Sequence, residues 1–65
     1  MKTKIKIHRA IHNITQAELA ERLNVTRQTI NAIEAGKYAP SVELALKMSK
    51  MFGVTVNELF QLDDE

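Results

Sequence analysis

The sequence predicts an all-α fold of five short helices. Three observations carry this. Apolar residues recur at helical spacing in successive short runs. Ser or Thr stands in front of most of those runs, where its hydroxyl can cap a helix, and Asn or Gly follows them, where the backbone can turn left-handed. Finally, 18 of the 65 residues are Ile, Leu, Val or Phe. That is enough for one small core and too scattered for a membrane span, which needs roughly 20 consecutive apolar residues. A chain of this length does not divide into two domains. It has no cysteine, so neither a disulfide framework nor a thiolate zinc site can support it. Its stability must come from well-fitted helices, a partner subunit, or both.

Each element has a local reason. Ile7, Ala10, Ile11 and Ile14 follow the i, i+3, i+4, i+7 rule and predict a first amphipathic helix. Thr15-Gln-Ala-Glu18 has capping-box spacing, so a second helix starts at Gln16 and buries Ala17, Leu19, Ala20 and Leu23. Asn24 ends it in a tight turn. Thr26 caps a third helix over residues 27–35, with Ile30 and Ile33 inward and Gly36 as the stop. Ser41 caps a fourth, through Phe52. Its wide apolar face of Val42, Leu44, Ala45, Leu46, Met48, Met51 and Phe52 predicts the most buried helix. Gly53 ends it, and Thr55-Val-Asn-Glu58 is a second capping box, opening a short fifth helix with Val56, Leu59 and Phe60 inward. The two ends read in two ways. Lys2 to Ile7 and Phe60 to Leu62 alternate with period two, which suits a small two-stranded ribbon, and helix extension fits nearly as well.

The net charge is +1, unevenly spread. Residues 1–40 hold seven Lys and Arg against three Glu, a net +4, and residues 41–65 hold two Lys against five acids, a net −3. Such asymmetry suits a face for a polyanion and another turned away from it, although a solvated surface gives it by chance as well. Lys2, Lys4 and Lys6 interrupt any apolar leader, so the expected location is cytoplasmic.

Catalysis finds no support. His8 and His12 are spaced i, i+4, but a zinc site needs a third and usually a fourth ligand. Two exposed histidines are expected there, with no metal and no cofactor. Glu18 and Glu21 read as a solvated helix face, and two glycines cannot build a phosphate loop. No small-molecule ligand and no membrane are implied.

What remains is a geometry. Two short helices joined by a tight turn, with small Ala20 at their closest approach, make a helix-turn-helix over residues 16–35. Winding the third helix at about 100° per residue puts Gln28, Asn31, Ala32 and Ala35 opposite Ile30 and Ile33. Arg27 and Thr29 flank that outward face. A face bearing amides and Arg, with no acid on it, suits the major groove of double-stranded DNA.

The run T-Q-A-E-L-A-E-R-L-N-V-T-R-Q-T-I-N-A-I-E-A-G-K-Y-A-P-S resembles the Xre family of lambda-Cro-like helix-turn-helix regulators. The likeness covers residues 5–59 and extends to very short members made of this domain alone; residues 60–65 are a short acidic tail. It implies the five-helix lambda-repressor-like DNA-binding domain, with residues 16–23 as supporting helix and 27–35 as recognition helix. By the same resemblance Gln16 binds a phosphate and buttresses Gln28, and Gln28 is the principal base reader. Arg27 reads a base or a phosphate, Ala32 touches a thymine methyl, and Thr26, Thr29 and Lys37 hold the sugar-phosphate backbone. Arg9 and Glu34 match a partly buried ion pair. Asn24 departs from a common Gly, which implies slight strain in the turn. Ala35 departs from a usual polar residue, which implies one phosphate contact fewer.

The function expected is a sequence-specific transcriptional regulator, a repressor that binds a two-fold symmetric operator as a homodimer. Val54, Val56, Phe60 and Leu62 lie beyond the motif and either supply the dimer contact or close the core. The alternative is an antitoxin or another protein-interaction module on the same fold. The amides of the third helix favour DNA, since a protein contact has no need of them.

Overall fold

The computed structural model describes residues 1–64, so Glu65 of the acidic tail lies outside the described residues. Five helices and a two-stranded ribbon follow in the order β1 (Lys2–Thr3), α1 (Ile5–His12), α2 (Gln16–Leu23), α3 (Arg27–Glu34), α4 (Val42–Phe52), α5 (Val56–Leu59) and β2 (Phe60–Gln61). The ribbon is antiparallel, pairing Lys2 with Gln61 and Thr3 with Phe60. Lys4 N donates to the Leu59 carbonyl at 2.9 Å, which extends the pairing by one bond. The ends therefore form strands rather than longer helices. None of the helices, at most 11 residues long, is long and apolar enough to cross a membrane.

The caps explain where each helix begins. Thr15 accepts from Glu18 N at 3.0 Å while the Glu18 carboxylate accepts from Thr15 N at 3.0 Å, a complete capping box. Thr26 and Ser41 accept from Thr29 N and Leu44 N, each at 3.1 Å. At α5 the second box is only half made: Thr55 accepts from Glu58 N at 3.1 Å, and no return bond from Glu58 forms among the described residues. One turn of helix leaves that carboxylate little to brace against. Asn13 and Asn24 take the left-handed conformation at φ 56° and 58°, which lets α1 and α2 stop within one residue. Gly36 also has positive φ, and a Cβ there would run into the Met1 carbonyl, so only glycine fits.

The core collects Ile5, Ile14, Leu19, Leu23, Ile30, Ile33, Met48, Phe52 and Leu59, with Ala20 at the α2–α3 crossing. Three expectations about its composition are corrected. In α1 only Ile5 is buried, with His8 and Arg9 half-buried beside it, while Ile7 and Ile11 are 56% and 68% exposed and Ala10 and His12 are exposed too. Of the apolar stripe read from sequence only Ile14 is buried, because the helix turns its half-polar side toward the core. His8 and His12 rest their rings on Phe52, at centroid distances of 5.9 and 5.3 Å, and His8 is half-buried rather than exposed. In α2, Ala17 is exposed. In α4, Ala45, Met48 and Phe52 are buried, but Val42 is 77% and Leu46 57% exposed. α4 is thus an amphipathic helix with a second apolar edge, not the most buried one.

Arg9 and Glu34 join the end of α1 to the end of α3. Arg9 Nε donates to Glu34 Oε2 at 2.6 Å, its second nitrogen to Oε1 at 3.1 Å, and its third to the Ile14 carbonyl at 3.1 Å. The hydrogen bond to Glu34 raises the Arg9 guanidinium above its ordinary value. The Glu34 carbonyl accepts from the Thr3 hydroxyl at 2.9 Å, which ties β1 to the same point. Both side chains are mostly enclosed, at 15% and 9% exposure, so a fork-to-fork pair without a partner would strand a charge.

Two stability outcomes follow from these contacts. Arg9→Met should cost about 3–5 kcal/mol in urea unfolding, because it leaves the Glu34 carboxylate unpaired. A domain of this size has roughly 3–10 kcal/mol in total, so the variant should sit close to its midpoint in buffer. Adding Glu34→Leu should restore most of the loss, and a double variant as unstable as the single one would contradict the charge argument. Glu18 concerns pH instead. The backbone N–H of Thr15, and then its hydroxyl, hold the Glu18 carboxyl below the usual carboxylate range. Its contribution is therefore complete above the unfolded value of about pH 4.3 and lost as pH falls through the lower folded value. Glu18→Gln keeps the geometry of the box without the titration. Melting followed by circular dichroism should give a nearly unchanged midpoint at pH 7 and a smaller fall between pH 5 and 2.

Candidate nucleic-acid interface

The recognition face is built on α3 and is held from both ends. Ile30 and Ile33 are wholly buried and fix the rotation of the helix, which leaves Gln28, Asn31 and Ala35 exposed and Ala32 half-buried. Thr26 caps the N-terminal end, and its hydroxyl also lies 2.9 Å from that of Thr29, so the two hydroxyls are locked side by side at the mouth of the helix. At the other end Lys37 N donates to the Ala32 carbonyl at 3.0 Å, fixing the backbone from which the exposed Lys37 side chain projects.

Gln16, the first residue of α2, reaches across to this helix. With Arg27, Gln28 and Asn31 it lines a shallow notch open to solvent. A larger cleft beside it runs from Arg9 and Asn13 past Thr15 and Gln16 to Arg27. The Gln16 amide donates to Asn31 Oδ1 at 3.3 Å and to Glu34 Oε1 at 3.2 Å, and its oxygen accepts from Arg27 Nε at 3.5 Å. No bond joins Gln16 to Gln28 among the described residues, so the buttress implied by the family resemblance is not formed in the free protein. Instead Gln16 grips Arg27, Asn31 and Glu34. The Gln28 amide has no protein partner among the described residues and is free to pair with a ligand.

Chemically the face offers an unpaired amide, the outer nitrogens of Arg27, an amide at Asn31 and the hydroxyls of Thr26 and Thr29. Glu34, the one acid of α3, is turned inward onto Arg9. Donors and amides on a convex helix, bordered by cations and without exposed carboxylate, match base edges and phosphate together. No group here is placed as a nucleophile or as a general base beside one.

The residues assigned to a dimer contact divide. Val54 and Phe60 both pack against the core, and the Val54 carbonyl accepts from the Ser49 hydroxyl. Val56 and Phe60 are half-buried and line an apolar groove with Pro40, Val42 and Leu46, while Leu62 is 63% exposed. The sequence places Val42 and Leu46 on the wide apolar face of α4 expected to be buried, and only packing shows that they lie exposed along this groove. Sequence reasoning missed the bonds from Gln16 to Asn31 and Glu34, for which no local signal exists.

The chain matches the helix-turn-helix family model HTH_3 over residues 5–59. It is 54% identical over 65 residues to an uncharacterized HTH-type transcriptional regulator of Methanocaldococcus jannaschii, covering all of this chain and 98% of that one. To the uncharacterized HTH-type transcriptional regulator YgzD of Bacillus subtilis it is 46% identical, again over the whole chain and 98% of the relative. The HTH-type transcriptional activator BcrR of Enterococcus faecalis shares 43% identity over 56 residues, which is 86% of this chain and 28% of that protein. An amide-bearing third helix on a capped and buried support, in a chain alike from end to end to such regulators, belongs to the helix-turn-helix family: this is a DNA-binding transcriptional regulator and not an enzyme.

Proposed function

We propose that the chain is a repressor that binds a two-fold symmetric operator as a homodimer in the cytoplasm. The observation that carries the reading is the outward face of α3. Gln28 is free to form a bidentate contact with adenine N6 and N7, and Arg27 keeps its outer nitrogens for guanine or phosphate. Thr26, Thr29 and Lys37 border that face and serve as backbone contacts, with Ala32 against a thymine methyl. The peptide N–H groups of Gln16 and Ala17, in the first turn of α2, suit a phosphate. The helix-turn-helix spans residues 16–35 within a domain of residues 5–59, and residues 60–65 form the tail beyond it.

Dimerisation follows from information content. One recognition helix reads too few base pairs to stand out among ~10⁶–10⁹ competing sites. The apolar groove on α4 and α5 supplies the surface, and it widens the expected contact from Val56, Phe60 and Leu62 to Val42 and Leu46. Val54 and Phe60 also pack against the core. Repression asks for nothing more than occupancy of the DNA, which the outward face of α3 is suited to provide. Activation, the role named for the much longer relative, asks for a further contact with the transcription machinery.

Selection of bound sequences from a random DNA pool should recover a motif with two-fold symmetry and half-sites about 34 Å apart. Affinity should fall ~10³–10⁵-fold between 50 and 200 mM salt, as expected for six to ten phosphate contacts. Gln28→Ala should cost about 1–3 kcal/mol and relax one position in each half-site without lowering the melting temperature. Lys37→Ala should weaken all sequences alike and flatten the salt slope. A pool that yields no symmetric motif would favour the antitoxin or protein-interaction reading.

The groove has its own test. Sedimentation of the intact chain at high micromolar concentration should show a dimer, and Leu46→Asp, an exposed change that opens no cavity, should leave a monomer with an unaltered melt when dilute. Ending the chain at Leu59 should act in the same direction. An intact chain that stays monomeric would mean that assembly takes place on the operator.

A further inference from the structure

The notch beside α3 contains a chain of hydrogen bonds with a fixed direction. A carboxylate paired with Arg can only accept, and a guanidinium can only donate. Gln16 lies between one of each, its amide nitrogen 3.2 Å from Glu34 Oε1 and its oxygen 3.5 Å from Arg27 Nε. Only one orientation of that amide satisfies both neighbours. The second N–H of Gln16 then faces Asn31 at 3.3 Å, so the atom of Asn31 that meets it must be the oxygen. Polarity therefore passes from Arg9 through Glu34 and Gln16 to Asn31. It leaves the NH₂ of the exposed Asn31 side chain as the group presented outward.

We propose that Glu34 and Gln16 act as positioning residues that hold the Asn31 amide with its NH₂ outward, so that position 31 selects an acceptor-rich base edge. The inference rests on the major-groove reading above and adds the base class that one position recognises. An asparagine with both amide atoms free prefers adenine, to which it donates at N7 and from which it accepts at N6. Here the oxygen is turned to the protein. Guanine offers two acceptors, N7 and O6, and thymine offers O4. Adenine keeps one acceptor beside a donor that meets only an oxygen already engaged by Gln16 and turned toward the protein, and cytosine turns its N4 donor against the donor of Asn31. The order expected at this position is guanine, then thymine, with adenine and cytosine disfavoured.

The test uses the full chain and a random DNA pool, with thermal melts on the same samples. Asn31→Ala should flatten one position in each half-site and thereby identify the base read by residue 31. At that position the wild-type protein should favour guanine or thymine over adenine. Gln16→Met keeps the bulk of the side chain but frees the Asn31 amide to rotate. Discrimination of guanine over adenine should then fall about tenfold, with the other positions of the motif retained. Should Gln16→Met lower the melt, Asn31→Asp decides instead: an acceptor-only side chain should move the preference to adenine or cytosine, whose edges donate. Adenine preferred by the wild-type protein, an unchanged motif in Asn31→Ala, or uniform weakening of all sequences by Gln16→Met without a change in base order would each overturn the inference. Absence of any motif with the wild-type chain would overturn the DNA reading beneath it, an outcome distinct from a motif with adenine at the assigned position.

Discussion

The carboxylate of Glu34 stands at the junction on which the rest of the molecule depends. It receives two bonds from Arg9 and one from Gln16, while its backbone carbonyl receives the Thr3 hydroxyl. Four separate segments, β1, α1, α2 and α3, are therefore tied at one residue. Its place at the last turn of α3 is unfavourable by itself, since the carbonyl end of a helix repels an anion. The guanidinium of Arg9 offsets that repulsion and fills the carboxylate lone pairs with planar geometry that a lysine could not match. The pair is a matter of specificity as much as stability. An apolar replacement could hold α1 against α3, but it would give Gln16 nothing to orient against.

The remaining rigidity is distributed among small devices suited to a short chain. Thr15, Thr26, Ser41 and Thr55 each accept from an amide three residues on. Such caps typically contribute about 1 kcal/mol each, a large share in a domain whose total is roughly 3–10 kcal/mol. Two asparagines and two glycines in the left-handed region keep the connections short. Asn24 thus ends α2 with two residues left before α3 begins at Arg27, and Ala20 is buried beneath the turn. A helix that reads bases must arrive with its side chains already aimed, because each residue ordered at binding subtracts from affinity.

The sequence is most legible where the determinants are local. All four Ser and Thr caps, the stop at Asn24 and the inward pair Ile30 and Ile33 follow from spacing alone. Legibility fails where two faces compete for one core. The α1 stripe of Ile7, Ala10 and Ile11 satisfies the apolar periodicity, yet the helix buries Ile5 and half-buries His8 and Arg9, with Arg9 paired to Glu34, 25 residues away. Nothing near Arg9 in the chain announces that partner; only the family resemblance did. α4 fails for the same reason in reverse, since a wide apolar face declares burial but not which of its edges is covered. The alternating ends suit strand or helix alike, and what selects the ribbon is a pairing between residues almost 60 positions apart. In the candidate site, the outward set of α3 comes from winding the helix, whereas the grip of Gln16 on Asn31 needs the crossing of two helices to be known.

The charge asymmetry acquires a spatial meaning in the fold. The ribbon brings Lys2 beside Gln61, and the N-terminal ammonium meets Asp63 at 2.9 Å. That hydrogen bond holds the Asp63 carboxyl below the usual carboxylate range. Part of the acidic tail is thus neutralised by the basic start of the chain, next to the apolar groove that Met1 also lines. The cations of Arg27 and Lys37 stay with the recognition face, while acids at Glu43, Glu58 and Asp64 accompany α4, α5 and the tail. A like-charged tail near the DNA would oppose phosphate, most strongly at low salt where screening is weak. Arg27 and Lys37 thus flank the outward face of α3, while Glu43, Glu58, Asp63 and Asp64 lie on other elements of the chain.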